Sequence, residues 1–453
     1  MFIDSHAHLF FPNYGQDLGE VIDRAEAEGV KYIIVPATDI ETARQTLELT
    51  KKYEMVYGAV GVHPHDTKDW NSSFLPVIEE LAENEKIVAI GEIGLDYYYD
   101  FSPKEKQIEA FKAQIELALK LNLPIIVHNR ESDEDMMNII HSYKGSGLKA
   151  QFHCFNGSAE NAKELTALGH FISFTGNITF KKADTLRETL KSIPPRYLLT
   201  ETDSPFMTPV PFRGKRNEPA NVKLVAEKIA EVHNIRVEDV NRISEYNTFK
   251  LFGIGELPKT SYTYLLRDSL YLNITNRCNA ACIFCDRDGE AVLNGYNLKM
   301  KKNEEPSAEF FIKEIGDPKK YSEIVFCGYG EPTIRWEVVK EISKYVKSSG
   351  GKTRLNTNGH GNEINKKDIT PEMKGLIDSV SISLNAVDED TYARLVGVDK
   401  KMFGEMLDFA RRSKQFVPEV VLTIVAEQNI DREKAQKFAE EEISVKFRER
   451  EYF

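Results

Sequence analysis

Residues 1–9 read Met1-Phe2-Ile3-Asp4-Ser5-His6-Ala7-His8-Leu9, and the interpretation of the first half of the chain begins with them. The short apolar run predicts a buried strand, and two histidines spaced by one residue stand at its end. Because side chains alternate between the two faces of extended backbone, His6 and His8 point to the same side. Two imidazoles on one side can share a metal ion. The pair alone is equally compatible with a structural role.

The same pattern of short apolar runs recurs along roughly the first 250 residues. Predicted strands alternate with amphipathic helices, of which the clearest spans residues 103–121. The eight predicted strands cover residues 2–5, 32–35, 57–60, 88–92, 125–128, 150–153, 171–175 and 198–203. This alternation predicts an α/β fold, a (β/α)8 TIM barrel. An open doubly wound sheet is the alternative, but no glycine-rich turn follows the first strand to support it.

Polar side chains close several of the predicted strands in this half. In a (β/α)8 barrel the carboxyl ends of all strands meet on one face, where catalytic groups lie. Four imidazoles and two carboxylates on that face suit two divalent ions that share a bridging carboxylate. Six buried polar groups without a common partner would each need separate hydrogen bonds. The predicted ligands are His6, His8, Glu92, His128, His153 and Asp203.

These residues lie in segments that resemble the TatD-type metal-dependent deoxyribonucleases, and the resemblance covers nearly all of residues 1–255. The segments are Asp4-Ser5-His6-Ala7-His8-Leu9, Gly61-Val62-His63-Pro64-His65, Gly91-Glu92-Ile93-Gly94-Leu95-Asp96-Tyr97, His128-Asn129-Arg130, His153-Cys154-Phe155-Asn156-Gly157-Ser158, Glu201-Thr202-Asp203-Ser204-Pro205-Phe206 and the stretch 209–219. The resemblance implies a barrel of amidohydrolase type that hydrolyses phosphodiesters in DNA or an oligonucleotide. It implies one ion held by His6, His8, Glu92 and Asp203, and another held by Glu92, His128 and His153, with Glu92 bridging.

The roles that follow concern three catalytic residues. The resemblance implies that Glu92 bridges the ions, and we expect Asp203 to orient or deprotonate the attacking water and His63 to contact the substrate phosphate. Mg, Mn or Zn would each suit the mixed nitrogen and oxygen ligands. The basic residues nearest the site are Arg213, Lys215 and Arg216, and Tyr97, Tyr98 and Tyr99 either stack on bases or pack at the rim. An amide or ester substrate is the alternative, because a fold alone does not choose the substrate.

The second half opens with three cysteines directly after a predicted strand at residues 271–275. Cys278, Cys282 and Cys285 have the spacing Cys-x3-Cys-x2-Cys. Three thiolates can ligate three irons of a [4Fe–4S] cluster and leave the fourth iron open. A zinc site would need a fourth ligand, and no histidine is close in sequence. The spacing therefore predicts a cluster with an open iron.

The cysteine loop resembles that of the radical S-adenosylmethionine enzymes, and the resemblance extends more loosely over residues 265–453. Phe284 precedes the third cysteine, and Cys327-Gly328-Tyr329-Gly330-Glu331-Pro332 is similar to the family's Gly-Gly-Glu-Pro segment. The resemblance implies a partial (β/α)6 barrel, with strands at residues 271–275, 323–327, 352–356, 379–384, 420–425 and 444–447. The expected contacts to S-adenosylmethionine are Phe284, Gly328, Gly330, Glu331, Ser383 and Asn385.

The chemistry implied by this second resemblance is reductive cleavage of S-adenosylmethionine, followed by hydrogen abstraction from a small-molecule substrate. A nucleotide-derived substrate is one hypothesis, suggested by the neighbouring hydrolase. An external electron donor of flavodoxin or ferredoxin type is expected. The alternative is an iron–sulfur domain that senses redox state and controls the hydrolase.

Length and composition agree with two soluble enzymatic domains, which we expect at residues 1–258 and 259–453. The chain has 453 residues and a net charge of −12, with most of the acidic excess in the first half. Neither half shows the clustered Lys and Arg of a basic nucleic-acid grip. The apolar runs are shorter than the ~20 residues of a membrane span, and no signal peptide is visible at the first residues. We therefore expect no membrane association and a cytoplasmic location.

Overall fold

The computed structural model describes residues 1–425 and 431–450. The chain divides into two compact units, Met1–Leu257 and Pro258–Phe453, which are described in turn. Among the helices described, none combines the length and the hydrophobicity that crossing a bilayer requires.

The first unit is built on eight parallel strands that are hydrogen-bonded in sequence order. They are β1 (Phe2–Asp4), β2 (Val30–Pro36), β3 (Val56–Val60), β4 (Ile87–Asp96), β5 (Ile125–Arg130), β6 (Ala150–Phe152), β7 (Phe171–Phe174) and β8 (Leu198–Thr200). The first and last strands meet, because the Ser5 amide donates to the Thr200 carbonyl (3.0 Å) and the Asp203 amide to the His6 carbonyl (2.9 Å). The predicted barrel is confirmed, and the open doubly wound sheet is wrong.

The helices of the first unit follow the strands in the alternation that the sequence predicted. They are α1 (Leu18–Ala27), α2 (Ile40–Lys52), α3 (Phe74–Ala82), α4 (Lys104–Leu121), α5 (Asp133–Ser142), α6 (Ala159–Ala167), α7 (Asp184–Ser192), α8 (Val222–His233) and α9 (Val237–Phe252). All ten residues of β4 are buried, because the barrel interior covers one face of the strand and the helices cover the other.

Helix α4 fixes the ends of two strands through buried glutamines. Gln107 accepts from the amide of Asp96 (2.8 Å) and donates to its carbonyl (2.9 Å). Gln114 makes the same pair of contacts with Val62, at 2.7 and 3.1 Å. Buried backbone groups just beyond a strand need such partners, because no ladder hydrogen bond reaches them. The two glutamines thus hold the backbone at the carboxyl face of the barrel.

The second unit contains a seven-stranded sheet and a two-stranded hairpin. Its strands are β9 (Thr263–Leu266), β10 (Ser269–Asn273), β11 (Val292–Leu293), β12 (Tyr296–Asn297), β13 (Ile324–Cys327), β14 (Thr353–Thr357), β15 (Ser379–Ser383), β16 (Glu419–Val425) and β17 (Lys446–Arg450). In the sheet, β10, β13, β14, β15, β16 and β17 are parallel neighbours in chain order. These correspond to the six predicted strands, and the partial (β/α)6 barrel is confirmed.

Strand β9 and the β11–β12 hairpin were not predicted. β9 runs antiparallel to β10 at the edge of the sheet, and Arg267 adopts a left-handed φ of 56° at the turn between them. The two hairpin strands have two residues each. Such short elements leave no periodic pattern in a sequence.

The helices of the second unit cover the outer face of the parallel strands. They are α10 (Ala308–Ile315), α11 (Trp336–Ser348), α12 (Gly361–Asn365), α13 (Glu389–Val396), α14 (Lys401–Ser413) and α15 (Arg432–Lys437). Trp336, Phe311 and Phe326 are among the largest fully buried side chains of this core. The carboxyl ends of the strands are left to face a cavity.

Candidate functional site

The first donor group lies where β1 ends. His6 Nε2 is 3.2 Å from His8 Nε2, as their spacing of two residues predicted. Glu92 Oε2 is 3.3 Å from His6 Nε2, and Asp203 Oδ1 is 3.5 Å from His8 Nε2. All four side chains are buried. Three of them, His6, His8 and Asp203, place their ligand atoms within 4.8 Å of one another.

The second donor group surrounds the other oxygen of Glu92. Glu92 Oε1 is 2.7 Å from His153 Nε2 and 2.9 Å from His128 Nδ1. His63 Nε2 lies 3.4 Å from the same oxygen. Glu92 thus offers one oxygen to each group. The structure brings together all six predicted ligands, and His63 joins the second group.

Neighbouring charges set the protonation of this cluster. Burial opposes ionisation of Glu92, but the imidazoles of His153, His63 and His6 outweigh it and hold the pKa of the carboxyl well below its usual range. Burial lowers the pKa of His6 to about 3 and that of His63 to about 4. Burial also opposes protonation of His128, but hydrogen bonds to the neighbouring carboxylates raise its pKa to about 9, so a metal ion would have to displace a proton from this ring. Neutral imidazoles and ionised carboxylates are the forms that bind metal ions.

Two observations test whether divalent ions fit these residues. The buried Nδ1 atoms of His6 and His153 have no hydrogen-bond partner. Neither ring is therefore held by hydrogen bonds at both of its nitrogens. Two buried carboxylates face only imidazoles, and burial opposes the ionisation of both. Cations between the rings would relieve this cost. The nitrogen and oxygen donors match those that zinc and manganese take in proteins.

Asp96 supports the second donor group from outside. Its Oδ2 lies 3.0 Å from His128 Nε2 and 2.9 Å from His65 Nε2. Its Oδ1 accepts from the amides of Tyr98 and Tyr99 (3.0 and 3.1 Å). A carboxylate that contacts the far nitrogen of a histidine fixes the orientation of that ring. Sequence analysis missed this role, although Asp96 ends the strand that carries Glu92 and lies an even number of residues from it.

Glu201 is a second carboxylate that sequence analysis missed. It is fully buried, and its Oε2 accepts from Ser173 Oγ (2.9 Å) and Gln151 Nε2 (3.0 Å). Burial raises the pKa of this carboxyl well above its usual range. Its Oε1 is 3.9 Å from the unpartnered Nδ1 of His153. Glu201, His6 and His153 also place ligand atoms within 4.8 Å of one another, so Glu201 borders the donor groups. The motif at residues 201–206 was the signal that contained it.

The three residues of the predicted basic cluster, Arg213, Lys215 and Arg216, differ in whether an acidic side chain pairs with them. Arg216 donates to both oxygens of Asp17 (2.7 and 2.6 Å) and contacts Glu218, so its charge is already paired within the fold. Arg213 lies over the ring of Phe180, 4.2 Å from its centroid, and Lys215 lies over Phe212.

The three predicted rim tyrosines also differ. Tyr97 is tied down by donation to Asp135 Oδ2 (2.7 Å). Tyr98 and Tyr99 are exposed on the loop after β4, and the guanidinium of Arg130 lies 3.8 Å from the Tyr98 centroid. Phe101 stacks on Tyr99, so Tyr98 and Tyr99 are accessible at the rim although each has one face covered.

In the second unit, the cysteine loop lies on a cavity of about 260 Å³. Cys278, Cys282 and Cys285 line it, together with the predicted cofactor residues Phe284, Gly328, Gly330, Glu331 and Ser383. Asn385 is the exception: it is buried with a left-handed φ of 57° and does not belong to the lining. The unpredicted lining residues include Tyr264, Cys327 and Arg450.

Backbone contacts hold the cysteine loop. The amides of Ala281 and Ile283 donate to the carbonyls of Val396 and Leu395, each at 3.0 Å. All three thiols are free of disulfides, and burial raises the pKa of Cys282 to about 12. Thiolates in such surroundings need a cationic partner.

The Gly-Tyr-Gly-Glu segment packs directly against the start of the cysteine loop. A Cβ on Gly330 would lie 2.2 Å from the carbonyl oxygen of Thr275, so only glycine fits. The buried Glu331 accepts from Thr357 Oγ1 (2.8 Å) and the Asn358 amide (2.7 Å). The carboxylate is thereby held rigidly at the cavity wall.

A (β/α)8 barrel with histidine and carboxylate donors at its strand ends defines the first unit as a metal-dependent hydrolase. Residues 3–253 match the family described as TatD related DNase, and residues 272–441 match the radical SAM superfamily. The chain belongs to the TatD related DNase family and carries a radical SAM domain after it. Both families are enzymes, so the chain is an enzyme.

Similar proteins cover the first unit. A metal-dependent hydrolase, YabD, from Bacillus subtilis (strain 168) is 47% identical over 255 residues, 56% of this chain and 100% of its own length. The 3'-5' ssDNA/RNA exonuclease TatD of Shigella flexneri serotype 5b is 33% identical over 257 residues, 56% of this chain and 99% of its own. The crystal structure of YjjV, a TatD homologue from Escherichia coli K12, has 31% identity and a TM-score of 0.54, and covers 56% and 98% of the two chains.

Proposed function

We propose that the first unit hydrolyses phosphodiester bonds in DNA or short oligonucleotides with two divalent ions. The single observation that carries this proposal is Glu92, whose two oxygens each face a separate group of donors. The similarity to an enzyme named as a 3'-5' ssDNA/RNA exonuclease supports the choice of substrate. The ions would be Mg, Mn or Zn.

Each donor group would hold one ion. His6, His8 and Asp203 would ligate one ion, and His128 and His153 would ligate the other, with Glu92 between them. When bound, two such ions lower the pKa of water and stabilise charge on the attacking and leaving oxygens. The burial of the donors excludes bulk water and strengthens these electrostatic effects.

Asp203 and His63 would act on the reactants. Burial opposes ionisation of Asp203, but hydrogen bonding to His8 lowers its pKa, so the group stays ionised and would orient the attacking water as a hydrogen-bond acceptor. His63, with its neutral ring beside Glu92, is placed to contact a substrate phosphate. Tyr98 and Tyr99 at the rim would stack on unpaired bases.

A metal-free preparation tests this proposal. We expect a fluorescent single-stranded DNA to be shortened only after Mg, Mn or Zn is added, and Asp203→Asn to lose at least about 100-fold in rate. Asp184→Asn is the control, because Asp184 lies on the surface and pairs with Arg187. Hydrolysis of small esters or amides without shortening of DNA would contradict the proposal and favour the alternative substrate.

For the second unit we propose radical chemistry with a [4Fe–4S] cluster and S-adenosylmethionine. Cys278, Cys282 and Cys285 would ligate three irons, and the open iron would bind the cofactor. The cofactor supplies hydrogen abstraction after one-electron cleavage of its sulfonium bond. Phe284, Gly328, Gly330, Glu331 and Ser383 would contact S-adenosylmethionine.

The buried Asn385 would act only indirectly in this site. An external flavodoxin-type or ferredoxin-type protein would supply the electron to the cluster. A small molecule, with a nucleotide-derived compound as the first to test, would be the radical substrate. Reduced thiols and an oxygen-sensitive cluster favour a cytoplasmic location.

Anaerobic reconstitution tests the radical proposal. We expect the electron paramagnetic resonance spectrum of the reduced cluster to change when S-adenosylmethionine is added, and 5′-deoxyadenosine to form under reductant. Cys282→Ala should lose both signals, whereas Cys154→Ala, in the other unit, should keep them. An unchanged spectrum without deoxyadenosine would favour a redox sensor.

A further inference from the structure

Arg450 occupies an unusual position at the end of β17. Its side chain lines the cavity that also contains the three cysteines. Nη2 donates to Ser383 Oγ at 3.0 Å. Nε is buried and has no hydrogen-bond partner. Within residues 1–425 and 431–450, no carboxylate forms an ion pair with this guanidinium.

The groups around Arg450 do not neutralise it. The charged neighbours on other strands include Arg354 on β14, and Arg448 lies two residues earlier on β17. Cys327 and Tyr271 are the remaining titratable neighbours, and neither is an acid of ordinary strength. Arg354 already pairs with Glu323 at 2.9 Å. Arg450 therefore has no carboxylate partner of its own among the described residues, although Asp286 and Glu331 line other parts of the same cavity.

The buried Nε of Arg450 is costly, because it has lost hydration and the guanidinium has only the neutral Ser383 hydroxyl as a partner. Its planar N–H groups match the oxygens of a carboxylate or phosphate, which can accept two parallel hydrogen bonds. The adjacent Ser383 hydroxyl adds a further donor at the same place.

We propose that Arg450 and Ser383 form an oxyanion-binding subsite in the radical cavity. The occupant is a carboxylate or phosphate group of a cavity ligand. This inference rests on the proposed radical function and narrows it. Two sources supply such a group: the methionine carboxylate of S-adenosylmethionine, or an acidic group on the radical substrate.

The chain offers a matched control for Arg450. Arg448 donates to Ser381 Oγ at 2.9 Å, which repeats the Arg450–Ser383 contact two residues earlier on both strands. Arg448 is exposed and does not line the cavity. Arg450→Gln therefore removes a charge inside the cavity, and Arg448→Gln removes a similar charge outside it.

The experiment uses the full chain with its cluster reconstituted anaerobically. Calorimetry measures the affinity for S-adenosylmethionine and then the affinity of the loaded protein for inorganic phosphate and for acetate. If the substrate supplies the oxyanion, Arg450→Gln weakens phosphate or acetate binding at least about tenfold and leaves S-adenosylmethionine affinity within about twofold. If the cofactor supplies it, the affinity for S-adenosylmethionine falls instead. Arg448→Gln should match the unaltered protein in both measurements.

Further variants keep the test decisive. Arg450→Lys retains the charge and should restore part of the lost affinity, and Ser383→Ala should weaken the same binding step if Arg450→Gln does not fold. Unchanged affinity for cofactor and anions in both Arg450→Gln and Ser383→Ala would overturn the subsite. Failure of the radical function differs, because the unaltered protein would then give no deoxyadenosine while its anion binding stayed measurable.

Discussion

At the scale of single residues, the first site depends on Glu92, because its two carboxylate oxygens face different groups of donors. Glu92 is buried and belongs to both donor groups, one oxygen in each. Its amide analogue has one oxygen and one N–H2 group, so it cannot offer a lone pair to both groups. Positions of this kind tolerate no conservative replacement.

Glu92→Gln should therefore reduce the bound divalent metal from about two ions per chain to about one or fewer, and abolish measurable hydrolysis. Elemental analysis and the DNA-shortening assay measure the two effects. Glu164→Gln, which alters an exposed partner of His141, is the control and should change neither. Full metal content in Glu92→Gln would contradict the bridging role.

Asp96→Asn should lower metal affinity or activity about 10–100-fold without unfolding the protein. The reason is that the amide can no longer accept from both His65 and His128, so the His128 ring loses its fixed orientation. Metal titration of the metal-free protein measures the change. Asp135→Ala removes the acceptor of the Tyr97 hydroxyl and serves as the control. Equal affinities for the two variants would make Asp96 a structural residue only.

His170 predicts a pH dependence of stability that is separate from the metal site. Burial lowers its pKa to about 4 in the folded chain, against an ordinary value near 6.5. The neutral ring is therefore favoured by folding. Its contribution is complete above about pH 6.5 and is lost as the pH falls towards 4, because the unfolded chain takes up the proton first.

Urea denaturation at pH 7 and pH 4.5 tests this expectation. The unaltered protein should lose roughly 2 kcal/mol more between these pH values than His170→Gln, which has no ring to titrate. The comparison cancels the titration of the other histidines. An equal loss in both proteins would show that His170 does not contribute.

At the scale of secondary-structure elements, helix α4 positions the end of β4 for the site. Gln107→Ala would leave the buried amide and carbonyl of Asp96 without partners, at a cost of about 1–3 kcal/mol. Chemical denaturation should show that loss, together with weaker metal binding. Lys112→Ala on the exposed face of α4 is the control. Weaker metal binding without any loss of stability would contradict the idea that the hydrogen bonds of Gln107 to the Asp96 backbone stabilise the end of β4.

The sequence predicted the elements whose pattern is set by burial. All fourteen predicted strands of the two barrels are present, because parallel strands covered on both faces read as short apolar runs. The eighth was predicted to reach residue 203 but β8 ends at Thr200, since Asp203 has a left-handed φ of 53° and its amide pairs with His6. The sequence alone does not show that the backbone turns between Thr200 and Asp203, because a polar residue can follow a strand with or without such a turn.

The sequence predicted those candidate site residues that lie in recognisable motifs. The six predicted metal ligands lie in or shortly after strands of the first barrel and the three cysteines lie in the loop after β10, so the fold itself brings each set together. Asp96, Glu201 and Arg450 act through contacts between elements far apart in sequence, such as Arg450 with Ser383. Those contacts depend on sheet register and side-chain direction, which apolar periodicity does not encode.

At the scale of the whole molecule, the chain combines two sites with opposite ligand preferences. The first offers nitrogen and oxygen donors, and the second offers thiolates. Divalent ions such as Mg and Mn prefer nitrogen and oxygen ligands, whereas iron–sulfur clusters prefer thiolates. A brief EDTA treatment should abolish DNA shortening and leave the cluster absorbance unchanged, whereas exposure to air should do the reverse. Loss of both activities under either treatment would contradict two independent centres.

Elemental analysis of the anaerobically reconstituted full chain tests the central claim most directly. We predict about two divalent ions and about four irons per chain, with Glu92→Gln losing only divalent ions and Cys282→Ala losing only iron. A single zinc in place of the iron, or loss of both metals in either variant, would contradict the assignment of two separate metal sites to this protein.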